Sequence, residues 1–224
     1  MKKTYVSPRR AAFSLIELVV VIAIIAIIAT FTVPAATTIL KGSAMTQASQ
    51  TLTDQISFAR QRALSRNLAV EVRFYQFADP EAPGETATDP TTGQYRGMQL
   101  FEVVESGVAI PIGKPERLPI SVVMEPSTTF STLITDTAAA PTRTIKQPVA
   151  SDPELPRGVA KNYKYVSFRF QQDGSTDLAP AKTWFVTIRN LTDKVTGTTP
   201  PPNFFTLQVD PVSGAVKGFR PTAG

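Results

Sequence analysis

Residues 13 to 33 form one apolar run interrupted by a single carboxylate, Glu17, close to its start. From Leu18 to Val33 (LVVVIAIIAIIATFTV) there is no charge, only two threonines and a dense supply of Ile and Val. A helix needs ~20 residues to cross the hydrocarbon core of a bilayer, and this run, with the apolar residues before Glu17, is long enough. An ionisable group inside such a segment costs roughly 2.5–3.5 kcal/mol even on lenient insertion scales. A plain anchor has no use for Glu17.

The residues before the run are equally one-sided. Residues 1–12 carry Lys2, Lys3, Arg9 and Arg10 and no acid. Positive charge stays on the cytoplasmic side, which sends everything after Val33 outside the inner membrane. The overall charge of +5 comes from 23 Lys and Arg against 18 Asp and Glu, and the leader holds four of those cations. Without it the chain is close to neutral, so the basic balance describes the leader and not a nucleic-acid surface. Only a clustering of Arg143, Lys146, Arg157, Lys161 and Lys164 on one face would supply such a surface.

Two ordinary readings compete. A secretory signal peptide would be cut after Val33-Pro34-Ala35, leaving a chain that starts at Ala36. A generic single-pass anchor explains the length and the flanking charge but leaves Glu17 without a task. A third reading uses more of the residues. The cationic leader, Ala12, Phe13, Ser14-Leu15-Ile16-Glu17 and the apolar helix together resemble the signal of type IV pilins and type II secretion pseudopilins. The resemblance implies processing by prepilin peptidase between Ala12 and Phe13, with methylation of the new Phe13 amine. The family usually has Gly where this chain has Ala12, and commonly carries a proline where this chain has Pro34. It also implies other pilin or pseudopilin subunits and the inner membrane as partners, with no small-molecule substrate and no cofactor.

The chemistry of Glu17 fits that reading. Once Phe13 is an N-terminus, its ammonium enters an apolar filament core, where a bare charge is very expensive. A carboxylate four residues on lies about one helical turn away, at ~1.5 Å per residue. It can neutralise its own amine or that of a neighbouring subunit, and both options stand. Leaving one partner of such a pair alone costs several kcal/mol, so the pair sets register between subunits. The plainer alternative is that Glu17 reaches up to the headgroups. Pro34 removes one helical N–H and crowds the carbonyl four residues back, which kinks the helix or ends it.

Beyond Gly42, Ala48, Leu52, Ile56, Ala59, Ala63 and Leu64 recur at three- and four-residue steps, the mark of one apolar helix face. The helix is expected to end near Arg66-Asn67, which divides the chain into a leader (1–12), a membrane or filament-core helix (13–36), its amphipathic continuation (37–67) and an extracytoplasmic β domain (68–224). From residue 68 the period changes to two, predicting a half-buried strand over 68–77. Further strands are predicted at 98–105, 108–110, 118–124, 130–135, 163–171, 182–189, 204–209 and 215–219. One long helix followed by many short strands defines an α+β fold with an antiparallel sheet. Residues 78–95, 137–161 and 192–203 read as loops of solvated padding.

Three later segments carry a narrower resemblance. Leu52 to Val72, then Val166 to Gly174 with its Asp173-Gly174 turn, then Phe204 to Arg220 with Val209-Asp210-Pro211 and Ser213-Gly214-Ala215-Val216 are similar, in order, to the minor pseudopilin H / fimbrial T family. The stretch Ala59-Arg60 through Val70 to Tyr75 also resembles pilin-like proteins of verrucomicrobial gene cassettes.

The chain has no His and no Cys. That removes Ser-His-Asp and Cys-His nucleophiles, the usual zinc sites and any disulfide. Asp79, Glu81, Glu85 and Asp89 lack the EF-hand arrangement and read as solvated loop charge. Asp173 and Asp177 read as turn residues and Trp184 as core. The expected function is therefore structural, with no catalytic, metal or cofactor site. A DNA-uptake minor pilin and a membrane-tethered enzyme using two carboxylates are the alternatives.

Overall fold

A computed structural model describes residues 14–82, 85, 93–135 and 144–221, with residues 31–38 described by backbone alone. Helix α1 runs from Leu15 to Arg66. The chain divides into two compact units, one ending at Leu40 and the other starting at Lys41.

In the second unit α1 buries Met45, Ala48, Ser49, Leu52, Ile56, Ala59 and Ala63. These positions step by three and four and form one stripe. Leu64, expected on that stripe, falls one position round the helix and is 46% exposed. Its side chain lies over the turn at Gly174 instead. Asn67 then takes a left-handed conformation, φ 53°, the backbone state that commonly stops a helix and that Asn tolerates.

Eight strands follow among the described residues: β1 (Ala69–Phe77), β2 (Gln94–Val103), β3 (Ala109–Arg117), β4 (Val122–Met124), β5 (Lys164–Phe170), β6 (Trp184–Asn190), β7 (Phe204–Val209) and β8 (Val216–Phe219). They form one sheet in the order β5-β1-β2-β4-β6-β7-β8, with β3 paired to β2. Every pairing is antiparallel. The fold is the α+β arrangement the sequence pattern implies: a long N-terminal helix followed by an antiparallel sheet.

The core lies between the second half of α1 and one face of this sheet. Val70, Val72 and Phe74 of β1, Met98 and Leu100 of β2, Val166, Phe168 and Phe170 of β5, Trp184, Val186 and Ile188 of β6 and Leu207 and Val209 of β7 join the helix side chains there. Alternate residues of a strand point to one face, which is why these follow the period of two. Trp184 is buried and donates its Nε1–H to the Ala179 carbonyl at 2.9 Å.

Three expectations change. β1 is buried on both faces rather than one, because Tyr75 and Phe77 pack on Leu155, Val159, Tyr163 and Tyr165 in a second apolar cluster. Part of the stretch read as a solvated loop, 137–161, is therefore structural cover. The strand expected at 130–135 is instead a short helix, α2 (Thr132–Thr135). Its first residue and Ser131 just before it serve β6 by side chain: the Phe185 N–H donates to Thr132 Oγ1 at 3.0 Å and the Thr187 N–H to Ser131 Oγ at 3.0 Å. Backbone donors beyond the end of β4 are satisfied there without another strand. β3 runs past Ile110 through Pro111 and Pro115, which an edge strand accepts because a missing N–H can face outward.

The turns after β5 and between β7 and β8 meet. A Cβ at Gly214 would overlap the Gly174 carbonyl oxygen, and Gly214 has φ 65°. Gly107, φ 81°, turns the β2–β3 hairpin with open space around it. Replacing Gly107 by Ala is expected to cost about 1–2 kcal/mol, from left-handed strain alone. Gly214→Ala adds a backbone clash and should cost clearly more in urea unfolding; equal losses would mean the two turns part without penalty.

Candidate assembly interface

Among the described residues of the first unit, α1 shows no apolar stripe from Leu15 to Ile28, because it is apolar all round. Every large apolar side chain from Leu15 to Ile28 is exposed, from 43% at Val21 to 80% at Leu15. A helix that is hydrophobic on all sides belongs in a protein interior or a membrane, and an exposed patch of this size marks an interaction surface. Among the described residues no helix is long and apolar enough to cross a membrane. The side chains of residues 31–38, which continue the run in the sequence, lie outside the description.

Glu17 sits in the first turn of α1. Its Oε2 accepts the Ser14 backbone N–H at 3.5 Å, and the Ser14 carbonyl receives the Leu18 N–H at 3.2 Å. Ser14 and Glu17 thus stand as N-cap and third helical residue, the spacing of a capping box. The sequence carried this signal in Ser-x-x-Glu, and a reading fixed on the cost of the charge passes over it. Ala12 and Phe13 lie outside the described residues. Pro34 is within α1 by backbone. Having no N–H, it leaves the Thr30 carbonyl without its usual helical donor, while the Thr30 hydroxyl donates back to the Ala26 carbonyl at 2.9 Å.

The sheet domain holds a second set of charged residues, this one buried. On the face of β1 away from α1, Glu71 accepts from Arg73 Nε at 2.7 Å and from Arg169 Nε at 2.9 Å. Arg73 also donates to Asp152 at 2.6 Å. The Arg73 guanidinium lies between the Phe101 and Tyr165 rings, 4.0 and 4.5 Å from their centroids. Burial acts to raise the Glu71 carboxyl, but the charges and hydrogen bonds of Arg73 and Arg169 outweigh it and hold the group below its ordinary 4.5. Two carboxylates, Glu71 and Asp152, do converge here, yet both grip one guanidinium. Acid–base pairs instead need one carboxyl kept protonated.

The acids read as solvated loop charge are ion-paired. Asp79 is buried and is held by Arg117, Glu85 is held by Arg96, and Glu81 is held by Arg157; Asp89 lies outside the described residues. Asp173 accepts the Ser175 N–H at 2.9 Å as a turn residue, and Asp177 accepts the Arg169 N–H at 2.8 Å. Of the five cations that would make a basic patch, Arg143 is outside the described residues and Arg157 is engaged by Glu81. Lys161 is turned onto the Val149 and Ala150 carbonyls at 3.2 and 2.6 Å.

Residues 7–33 match the family described as the prokaryotic N-terminal methylation motif. This motif heads a long helix that leads into an antiparallel sheet. Among solved structures, the minor pseudopilin EpsH from the Type 2 Secretion System of Vibrio cholerae is similar with a TM-score of 0.41 and 6% identity, over 79% of this chain and 97% of its own. No curated protein matches the chain in sequence.

Two titrations probe the buried face. Because the folded Glu71 value is depressed, its contribution to stability is complete above pH 4.5 and is lost as pH falls through the lower folded value. Glu71→Gln should melt at a lower temperature near neutrality and lose less on acidification than the parent chain; parallel acid profiles would remove Glu71 from this role. Tyr75, Tyr95, Tyr163 and Tyr165 are all raised above the ordinary 10.0, first by burial, Tyr95 to about 12. A chain lacking the leader, and so Tyr5, should gain little tyrosinate absorbance as pH crosses 10 until it unfolds.

Proposed function

We propose that the chain is a non-catalytic pilin-like subunit that assembles into, or primes, a filament of the type II secretion pseudopilus or type IV pilus kind. The observation that carries this reading is the N-terminal methylation motif over residues 7–33, leading into a helix whose apolar side chains from Leu15 to Ile28 are exposed on every side. In this reading prepilin peptidase cuts between Ala12 and Phe13. The mature helix is held single-pass in the inner membrane with the sheet domain outside, and then passes into the apolar centre of a filament.

Glu17 is the register residue of that filament. In the uncut chain it caps its own helix; after the cut it faces a new ammonium on Phe13, within its own subunit or on a neighbour. Pro34 supplies the place where the helix bends in the bundle. A minor subunit of the H / T kind is the finer reading. It is supported by the meeting of the Asp173-Gly174 and Ser213-Gly214 turns with the end of α1, where Arg60 Nε donates to the Ser213 carbonyl at 3.0 Å.

Intact mass and N-terminal sequencing of the membrane-extracted protein test the pathway. The expected product starts at Phe13 and carries one added methyl group. A chain starting at Ala36 would make this a secreted protein, and an uncut chain would leave a simple anchor. For the charge pair, Glu17→Val should leave membrane extraction and cutting intact and abolish incorporation into filaments, scored by shearing and sedimentation. Incorporation at the parent level would assign Glu17 to helix capping alone.

A further inference from the structure

On the face of the sheet away from α1, a groove of about 390 Å³ opens between the start of β3 and the segment 146–152. Its walls are apolar and accessible: Val108 is 58% exposed, Ile110 49% and Val149 59%. Its floor is the buried charge network of Glu71, Arg73 and Asp152. Both floor acids are satisfied. Glu71 takes Arg73 and Arg169, while Asp152 takes Arg73 at 2.6 Å and the Val149 N–H at 2.9 Å. Their side chains are 2% and 8% exposed, against 40% for Arg169. Lys146 also lines the groove and makes no ion pair among the described residues. The accessible charge at the mouth is therefore positive and stands beside apolar walls.

The shape limits what can enter. The volume is at the small end of ligand clefts, roughly 300–1,000 Å³, which suits a few side chains rather than a domain surface. Entry as an added strand on β3 is opposed by Pro111 and Pro115, since proline breaks the backbone ladder on an edge. A phosphate backbone offers no apolar group to cover Val108, Ile110 and Val149, and would find Lys161 already committed to carbonyls. We propose that this groove docks an extended segment of a partner protein, one that places an acidic side chain among apolar ones. The carboxylate would meet Lys146 and Arg169, and the apolar residues would cover Val108, Ile110 and Val149. The site lies wholly in the sheet domain and does not rest on the filament reading.

The test uses the full chain in detergent micelles and fluorescence anisotropy. The probes are labelled short peptides alternating Glu with Val or Leu, the same peptides with Gln for Glu, and a duplex DNA oligonucleotide. The Glu peptides should bind about tenfold or more tighter than their Gln counterparts, as expected where a charge-assisted bond is made. Lys146→Glu and Val149→Asp, both at positions whose side chains the core does not use, should each weaken binding about tenfold with the melting temperature unchanged. No binding by any Glu peptide would overturn the proposal, as would equal binding of the Gln forms or indifference to both substitutions. Displacement of bound peptide by the DNA would overturn it in favour of a nucleic-acid surface.

Discussion

The helix α1 meets two different demands in the two units it belongs to. Where it lies on the sheet, it presents Ala48, Ala59 and Ala63 between the larger Met45, Leu52 and Ile56. Small residues let the helix approach the strands closely, and the large ones fill the spaces between Phe74, Phe168, Phe170 and Trp184. Where it precedes the sheet domain, no such alternation of small and large or of apolar and polar exists. Ile, Val and Leu are distributed over every side, and the helix is competent only in an apolar surrounding.

The charge at its first turn is understandable in the same terms. A carboxylate near the N-terminus of a helix is favoured by the helix dipole and by the free N–H groups there, and Glu17 takes up the Ser14 N–H in that way. Processing at Phe13 would set a full positive charge beside it. In the proposed pathway the same side chain would pass from a local partner before the cut to a stronger one after it, and the change of partner would mark the subunit as ready for assembly.

Much of this was legible in the sequence, for physical reasons that differ from element to element. The apolar run and Glu17 stand out because length and charge need no tertiary context. The helix stripe from Ala48 to Ala63 follows from its period, and Leu64 falls off it because it stands one position, ~100°, round the helix from Ala63. The short helix at Thr132 was hidden because four residues with two apolar ones between threonines have no period of their own. The double burial of β1 was hidden too. Glu71 and Arg73 read as a solvated face, and only Asp152, Tyr165 and Arg169, far along the chain, put them inside. Asp79 likewise changes from a loop acid into the buried partner of Arg117.

The network around Arg73 also sets how this protein is free to change over generations. Two carboxylates and two guanidiniums from three parts of the chain share their bonds, and Arg73 holds both carboxylates at once. Losing Arg73 strands the buried Asp152, at a cost of several kcal/mol, whereas replacing the group together by packed apolar residues is close to neutral. Drift by single substitution is therefore closed at Arg73. A lineage gives up Arg73 only together with the acids it holds, so Glu71, Arg73 and Asp152 should be inherited as a block or lost as one.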